Sequence, residues 1–318
     1  MKKSLLVHPS ELSKKWIDRL ADNGFTTLGI HPEGGADAAI TLGKLVDKFQ
    51  EPSFTSLIDY AVERGLEIEY EFHSLSYLLP RSLFSSHPEY FRQNENGERT
   101  SDLNMCFSSA EALEIVGQNA AILSKKLYKS SNRYFFWIDD ASGGKCNCDK
   151  CKSLSVSDQQ MIVINAMQRT VRKENNEAMM AYLGYIDVLD APKVVKPEDG
   201  IFLEYAPIYK WKRSPEELEK NKELIIKEKE ASKILLEYFG KANSRVLEYW
   251  VDNSLFSRWK KPPKELNVGI LELRNDLLYY SALGFESISS FACYLGEDYE
   301  ALYGEPHLEE FFEEFKIY

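Results

Sequence analysis

Residues 134–151 read YFFWIDDASGGKCNCDKC, an aromatic, strand-like run that ends in Asp139-Asp140 and is followed almost at once by Cys146, Cys148 and Cys151. Carboxylates where a hydrophobic strand runs out suit acid–base chemistry, because the strand holds them rigid at a solvent-facing rim. Alternation along a strand sends neighbours to opposite sides, so one member of the pair is expected to point at the reacting centre. Asp140 is the expected proton donor, and Asp139 the helper that orients it or raises its pKa. The three thiols are too close together for a disulfide framework and well spaced for a metal. CxCxxC with one more ligand would hold tetrahedral zinc, the fourth position falling to Cys106 in NMCFSS or to His87. A complete four-thiolate site would be closed and structural, pinning the loop that carries it rather than catalysing. Cys293, alone in a β-like run, reads as a core residue.

If the acid chemistry of Asp140 is the cleavage of a glycosidic bond, either standard route needs a second carboxylate, to attack the anomeric carbon or to activate water. Glu204, Glu248 and Asp252 are the candidates, and the sequence does not choose among them. A third route uses the substrate's own 2-acetamido group as nucleophile, with two adjacent acids to polarise the amide and protonate the leaving group. The Asp139-Asp140 pair makes that route available.

These residues need a scaffold, and the chain alternates short apolar runs with amphipathic stretches. Strands are expected at 4–7, 26–30, 66–72, 134–138, 178–183, 200–205, 245–251 and 287–294. Helical patterns lie between most of them, at 11–22, 36–64, 110–128, 158–173, 215–239, 269–283 and 309–316, while the Pro-bearing connection 186–199 leaves little room for one. Ser214-Pro215-Glu216-Glu217 has the capping serine, first-turn proline and third-position glutamate of a helix start. Eight strands alternating with helices predict one (β/α)8 TIM barrel over residues 1–318, with long rim loops at about 74–108 and 141–157. A doubly wound sheet is disfavoured because no GxGxxG turn follows the first strand.

In such a barrel the carboxyl ends of the strands line the site. They offer His31, His73, Glu204, Tyr205, Trp250, Asp252, Asn253 and Tyr294 as groups to grip a substrate. Acids, an amide, imidazoles and flat aromatics on one rim suit a sugar, whose hydroxyls want polar partners and whose C–H face wants an aromatic platform.

At 318 residues the chain is long enough for a barrel-sized core, and its net charge of −11 argues against nucleic acid or an anionic membrane as partner. No apolar run approaches the ~20 residues that span a bilayer. The MKKSLLVHPSEL start lacks a signal-peptide core, and five cysteines, three of them clustered, fit a reducing compartment. A cytoplasmic protein is expected.

The segments HSLSYLLPRSLFSSHPEYFRQNENGERT, LNMCFSS and IDDASGGKCNCDKC, followed by SVSDQQMIVINAMQRTV, resemble the uncharacterised DUF4838 family over roughly residues 66–205. The resemblance implies a glycosidase-superfamily barrel distantly similar to α-glucuronidases, with Asp140 in the place of the family's Asp ahead of the cysteines. Asp139-Asp140 is also similar to the adjacent acids at the end of the fourth strand in barrel hydrolases of acetamido sugars. The expectation is a glycoside hydrolase with a carbohydrate substrate, no catalytic cofactor and a structural zinc. A zinc-dependent hydrolase and a carbohydrate-binding barrel without catalysis are the alternatives.

Overall fold

In the computed structural model, which describes residues 1–211 and 214–317, the eight apolar runs become eight parallel strands closed into a barrel in sequence order. They are β1 (Lys2–Val7), β2 (Thr27–Ile30), β3 (Glu67–His73), β4 (Arg133–Trp137), β5 (Met179–Gly184), β6 (Ile201–Tyr205), β7 (Arg245–Glu248) and β8 (Ser287–Phe291). β8 closes the ring on β1, with Lys2 opposite Ser287 and Ser4 opposite Ser289. Strands packed between an interior and an outer helical layer are buried on both faces, which is why β4 runs on from Arg133 as the aromatic sequence YFFW and every residue of it is buried.

The helices depart from the sequence pattern where a backbone rule intervenes. The expected stretch 36–64 is two helices, Ala38–Lys48 and Pro52–Glu63, because Pro52 has no N–H to continue the first and is pre-set to begin the second. The stretch 215–239 divides at Asn221 into Pro215–Lys220, which opens on the full capping box of Ser214 and Glu217, and Lys222–Phe239. The connection 186–199 has no helix. Helices Ala110–Lys126 and Val156–Glu174 cross closely at Gly117, where a Cβ would lie 2.6 Å from Thr170 Oγ1. Their close approach brings the two long rim loops that precede them side by side.

The interior of the barrel is charged. Arg245 of β7 donates to Glu69 Oε2 and Glu71 Oε1 at 2.5 Å each, to Ser289 Oγ at 2.8 Å and to Ser4 Oγ at 2.9 Å. Arg133 lies 3.4 Å from Glu69, and Glu204 of β6 lies 3.6 Å from Arg245. The Arg245 and Arg133 guanidiniums also lie over the Phe135 and Phe202 rings, 4.7 and 4.5 Å from their centroids. Burial pushes the Glu71 carboxyl well up and Glu204 up to about 7, moderated in both by Arg245. A proton on Glu71 or Glu204 would bring the cluster toward neutrality against its two arginines.

Removing one member of a buried charge set strands the others. Arg245→Met is expected to lower unfolding free energy by about 3–5 kcal/mol, measured by urea denaturation.

Candidate active site

Each strand's inward-facing series continues one step past the charged layer, and those last members surround a cavity of about 440 Å³ at the carboxyl end of the barrel. β1, β2, β3 and β4 contribute His8, His31, His73 and Trp137 on one side. On the other, β5 to β8 contribute Leu183, Ala206, Tyr249 and Phe291. The half reached first along the chain is thus polar and aromatic, and the second half mostly apolar. That volume lies within the about 300–1,000 Å³ usual for small-molecule pockets.

The three histidines share one arrangement. His8 Nδ1 lies 2.7 Å from His31 O, His31 Nδ1 lies 2.8 Å from Glu71 O, and His73 Nδ1 lies 2.6 Å from Ile138 O. A carbonyl only accepts, so each Nδ1 carries its hydrogen, and Nε2 is left for the cavity. Burial pushes the His8 pKa down and that of His31 well down, the latter helped by the neighbouring His8 ring, so both rings are neutral and present bare Nε2 lone pairs. These are acceptors suited to hydroxyl donors. Trp137, whose Nε1–H donates to Glu204 at 2.8 Å, packs at 5.0 Å against His73 and 5.8 Å against His31.

Among the described residues, the carboxylates that line the cavity are Glu33, Asp140 and Asp252. Asp140 Oδ1 accepts from Tyr185 Oη at 3.1 Å and lies 3.7 Å from His73 Nε2. Gly34 approaches so closely that a Cβ there would stand 3.3 Å from the His73 ring and 3.4 Å from Asp140. Asp252, just past β7, caps the short helix Asn253–Phe256: its Oδ1 accepts from Ser254 Oγ at 2.6 Å and from the Ser254 and Leu255 N–H groups at 3.1 and 3.3 Å. Burial lifts its pKa to about 6 despite those donors. Its other oxygen is left to the cavity.

Of the expected site residues, Asp140, His31, His73, Asp252 and Tyr294 come together around this cavity. Asp139 does not. Its carboxylate is turned away into the rim loops, where it pairs with Arg81 and accepts from the backbone N–H groups of Asn104 at 2.6 Å and Ser76 at 3.2 Å. It is therefore an anchor for the lid and stands out of reach of a bound substrate. Glu204 lies one layer below, beneath Trp137. Tyr205, Glu248 and Trp250 sit on outward-facing positions of β6 and just around the end of β7. Tyr205 donates to Glu228 O at 2.6 Å, Trp250 to Asp276 at 2.9 Å, and Glu248 is held by Lys210, Trp211 and Tyr280. Asn253 is fully buried and donates to Lys264 O and Tyr294 O. On β7 the rim lies one position from the expected one: Arg245, Leu247 and Tyr249 face inward, so Trp250 faces out. Trp137 faces inward with Phe135, and the run 134–138, apolar on both faces, gives no signal of that parity. Trp259 lines the cavity mouth while 63% exposed, and its loop position gives no periodic signal.

Cys106, Cys146, Cys148 and Cys151 meet in a single buried cluster, their Sγ atoms all within 4.8 Å of one another and none in a disulfide. His87 instead stacks on Tyr90 and meets Glu89. Four soft thiol ligands at this spacing fit one tetrahedral ion. None of the four lines the barrel cavity.

A family model described as a domain of unknown function (DUF4838) matches residues 48–238. No curated protein matches the sequence. Among solved structures, the chain is similar to a β-galactosidase from the psychrophilic Marinomonas ef1 (TM-score 0.52, 12% identity), covering 91% of this chain and 54% of that one. It is similar also to a family 5 glycoside hydrolase from Prevotella bryantii B14 (0.52, 9%, covering 96% and 85%) and to endo-glycoceramidase II from Rhodococcus sp. (0.52, 9%, covering 92% and 72%). The chain thus spans about half the length of the first of these. At such identities the likeness is one of fold, the closed eight-stranded barrel. Among the described residues no helix is long and apolar enough to cross a membrane.

Asp139→Asn removes the charge that Arg81 meets while keeping the shape. Loss of charged hydrogen bonds in this nearly buried setting is expected to cost about 1.5–3 kcal/mol, read as a lowered denaturation midpoint with an unchanged far-UV spectrum.

Proposed function

We propose that this chain, which belongs to the DUF4838 family, is a glycoside hydrolase that uses Asp140 as general acid and Asp252 as the second carboxylate. The observation that carries the reading is that these two acids, from the ends of β4 and β7, share one cavity with an aromatic wall and neutral imidazole acceptors. Asp140 Oδ1, held by the Tyr185 hydroxyl at 3.1 Å with the His73 ring 3.7 Å away, borders the cavity, where it would protonate the leaving glycosidic oxygen. Asp252, its Oδ1 fixed by three donors, would turn its free oxygen to the anomeric carbon or to a water. Trp137 at the base of the cavity and Trp259 at its mouth would supply flat faces for the sugar's C–H surface.

Two finer features of the substrate follow. Three carboxylates and, among the described residues, no lysine or arginine line the cavity, which suits a neutral sugar and disfavours a uronic acid. With Asp139 committed to Arg81, the adjacent-acid helper needed for substrate-assisted cleavage of an acetamido sugar is missing from the cavity, and the two-carboxylate routes are favoured. The four-thiol cluster, lying outside the cavity, counts against a zinc-dependent hydrolase.

Turnover of a panel of neutral aryl glycosides tests the proposal. Asp140→Asn and Asp252→Asn should each lower kcat/KM by about 10²–10⁴-fold. Failure of the unmodified protein to cleave any glycoside it binds would leave a binding barrel instead. The pH profile adds a second check. Asp252 must be ionised to act as nucleophile or base, and its pKa is raised to about 6, so the acid limb of kcat/KM should fall as pH drops through that value. Activity that instead rose below pH 6 would reverse the roles of the two acids.

A further inference from the structure

Two rim loops, 74–109 after β3 and 138–155 after β4, are laced together along their length. The Asn147 N–H donates to Gln93 O at 2.8 Å, and Arg92 Nη1 and Asn104 Nδ2 donate to Gly143 O and Gly144 O at 3.1 Å each. Asp139 closes one end of the seam through Arg81 and Asn104. The thiol cluster lies at the other, with Cys106 from the first loop and Cys146, Cys148 and Cys151 from the second. We infer that these four thiols, as thiolates, bind one zinc ion, and that this ion is the clasp holding the loop of Asp139 and Asp140 against its neighbour.

The spacing is that of one ion. Zinc–sulfur bonds of about 2.3 Å set tetrahedral sulfurs roughly 3.8 Å apart. Cys106 and Cys148 Sγ stand at 3.7 Å, and the whole set lies within 4.8 Å. A polynuclear iron–sulfur cluster would need its thiolates further apart. The surroundings are built for thiolate charge. The Gln93 N–H points at Cys146 Sγ from 3.4 Å, and Ser108 Oγ lies 3.3 Å from Cys106 and 3.7 Å from Cys148. Arg99 interacts with the Cys106 thiol, placing a positive charge beside a centre that would carry a net negative one. Gln159, on the helix that follows, accepts from the Cys146 N–H at 2.8 Å and donates to Cys146 O and Cys151 O at 3.0 Å, so the knuckle backbone is fixed independently of the ion. Cys146 and Cys151 are wholly buried, whereas Cys106 and Cys148 border a small surface cavity, a route for the ion to enter and for a chelator to reach it.

The metal site and the clasp stand apart from the hydrolase reading. Metal analysis of the full chain purified under reducing conditions should give one zinc per chain. After chelation, Co²⁺ should bind at the same ratio with the intense bands of a tetrahedral tetrathiolate. Four thiols that still react freely with a thiol reagent in saturating Zn²⁺ would overturn the site, and stoichiometric iron would overturn the choice of ion. Chelated wild-type protein and Cys146→Ser should keep the barrel's far-UV spectrum while both loops are cut about tenfold faster by protease, because cleavage tracks the open population. Loops that stay equally resistant without metal would overturn the clasp. None of these readouts depends on turnover, so they survive or fail separately from the proposed catalysis.

Discussion

Arg245 lies at the centre of the barrel with its guanidinium shared among Glu69, Glu71, Ser4 and Ser289, and the upper half of the structure is arranged around keeping that charge satisfied. Its partners come from β1, β3 and β8, with Glu204 of β6 close by, so the cluster ties most of the ring to a single register. A one-residue slip of any of these strands would carry its polar member to the outer face and leave a buried charge unpaired. Net stability is not the main return from such a cluster, since desolvation offsets most of the attraction. What the cluster supplies is specification of which residues point inward. The layer above inherits that specification: Glu204 accepts from Trp137 Nε1, and Trp137 in turn backs His31 and His73. The polar wall of the cavity is therefore positioned from below by a charge that never touches it.

From above, the same wall is held by the rim loops, and the adjacent aspartates divide between the two tasks. Backbone geometry at the end of β4 sends neighbouring side chains in different directions. Asp140 reaches Tyr185 and His73 over the cavity, while Asp139 reaches Arg81 and the Asn104 N–H across the seam. Each needs the other's placement. In the proposed hydrolysis, an unanchored loop would leave Asp140 free to sample positions from which proton transfer fails, because such transfer demands hydrogen-bond reach.

The fold was legible in the sequence because it rests on two strong signals, apolar runs of strand length and amphipathic stretches between them. All eight strands lie where those runs lie. The thiol cluster was equally legible, since CxCxxC is local and Cys106 stood in the facing loop. The cavity was only half legible. His31, His73 and Asp140 were found because they close their strands. Glu204, Tyr205, Trp250 and Asn253 were misplaced because membership of the rim depends on strand parity and on where each strand stops, and β7 ends at Glu248 with its inward series running through Tyr249. Hydrophobicity does not report parity in a strand buried on both faces. The ion cluster does report it: Glu69 and Glu71 alternate on β3, and extending that alternation gives His73.

The electrostatics of the cavity are consistent with this division of labour. Asp252 keeps a raised pKa because burial dominates and no lining cation counters it; a lysine or arginine within a few ångströms would pull it back toward the ordinary carboxylate range. Charged histidines would have the same effect, yet His8 and His31 are kept neutral by burial, and each spends its one ring hydrogen on a backbone carbonyl. The ring thus offers a hydroxyl-bearing ligand acceptors rather than cations. In the proposed reaction, a sugar entering would displace water from Asp252 further and raise the cost of its charge until positive charge develops on the ligand, which then stabilises the carboxylate. A carboxylate whose ionised form is best matched to a cationic, oxocarbenium-like centre contributes more to the transition state than to the bound ground state, which is the condition for accelerating the reaction rather than merely holding the substrate.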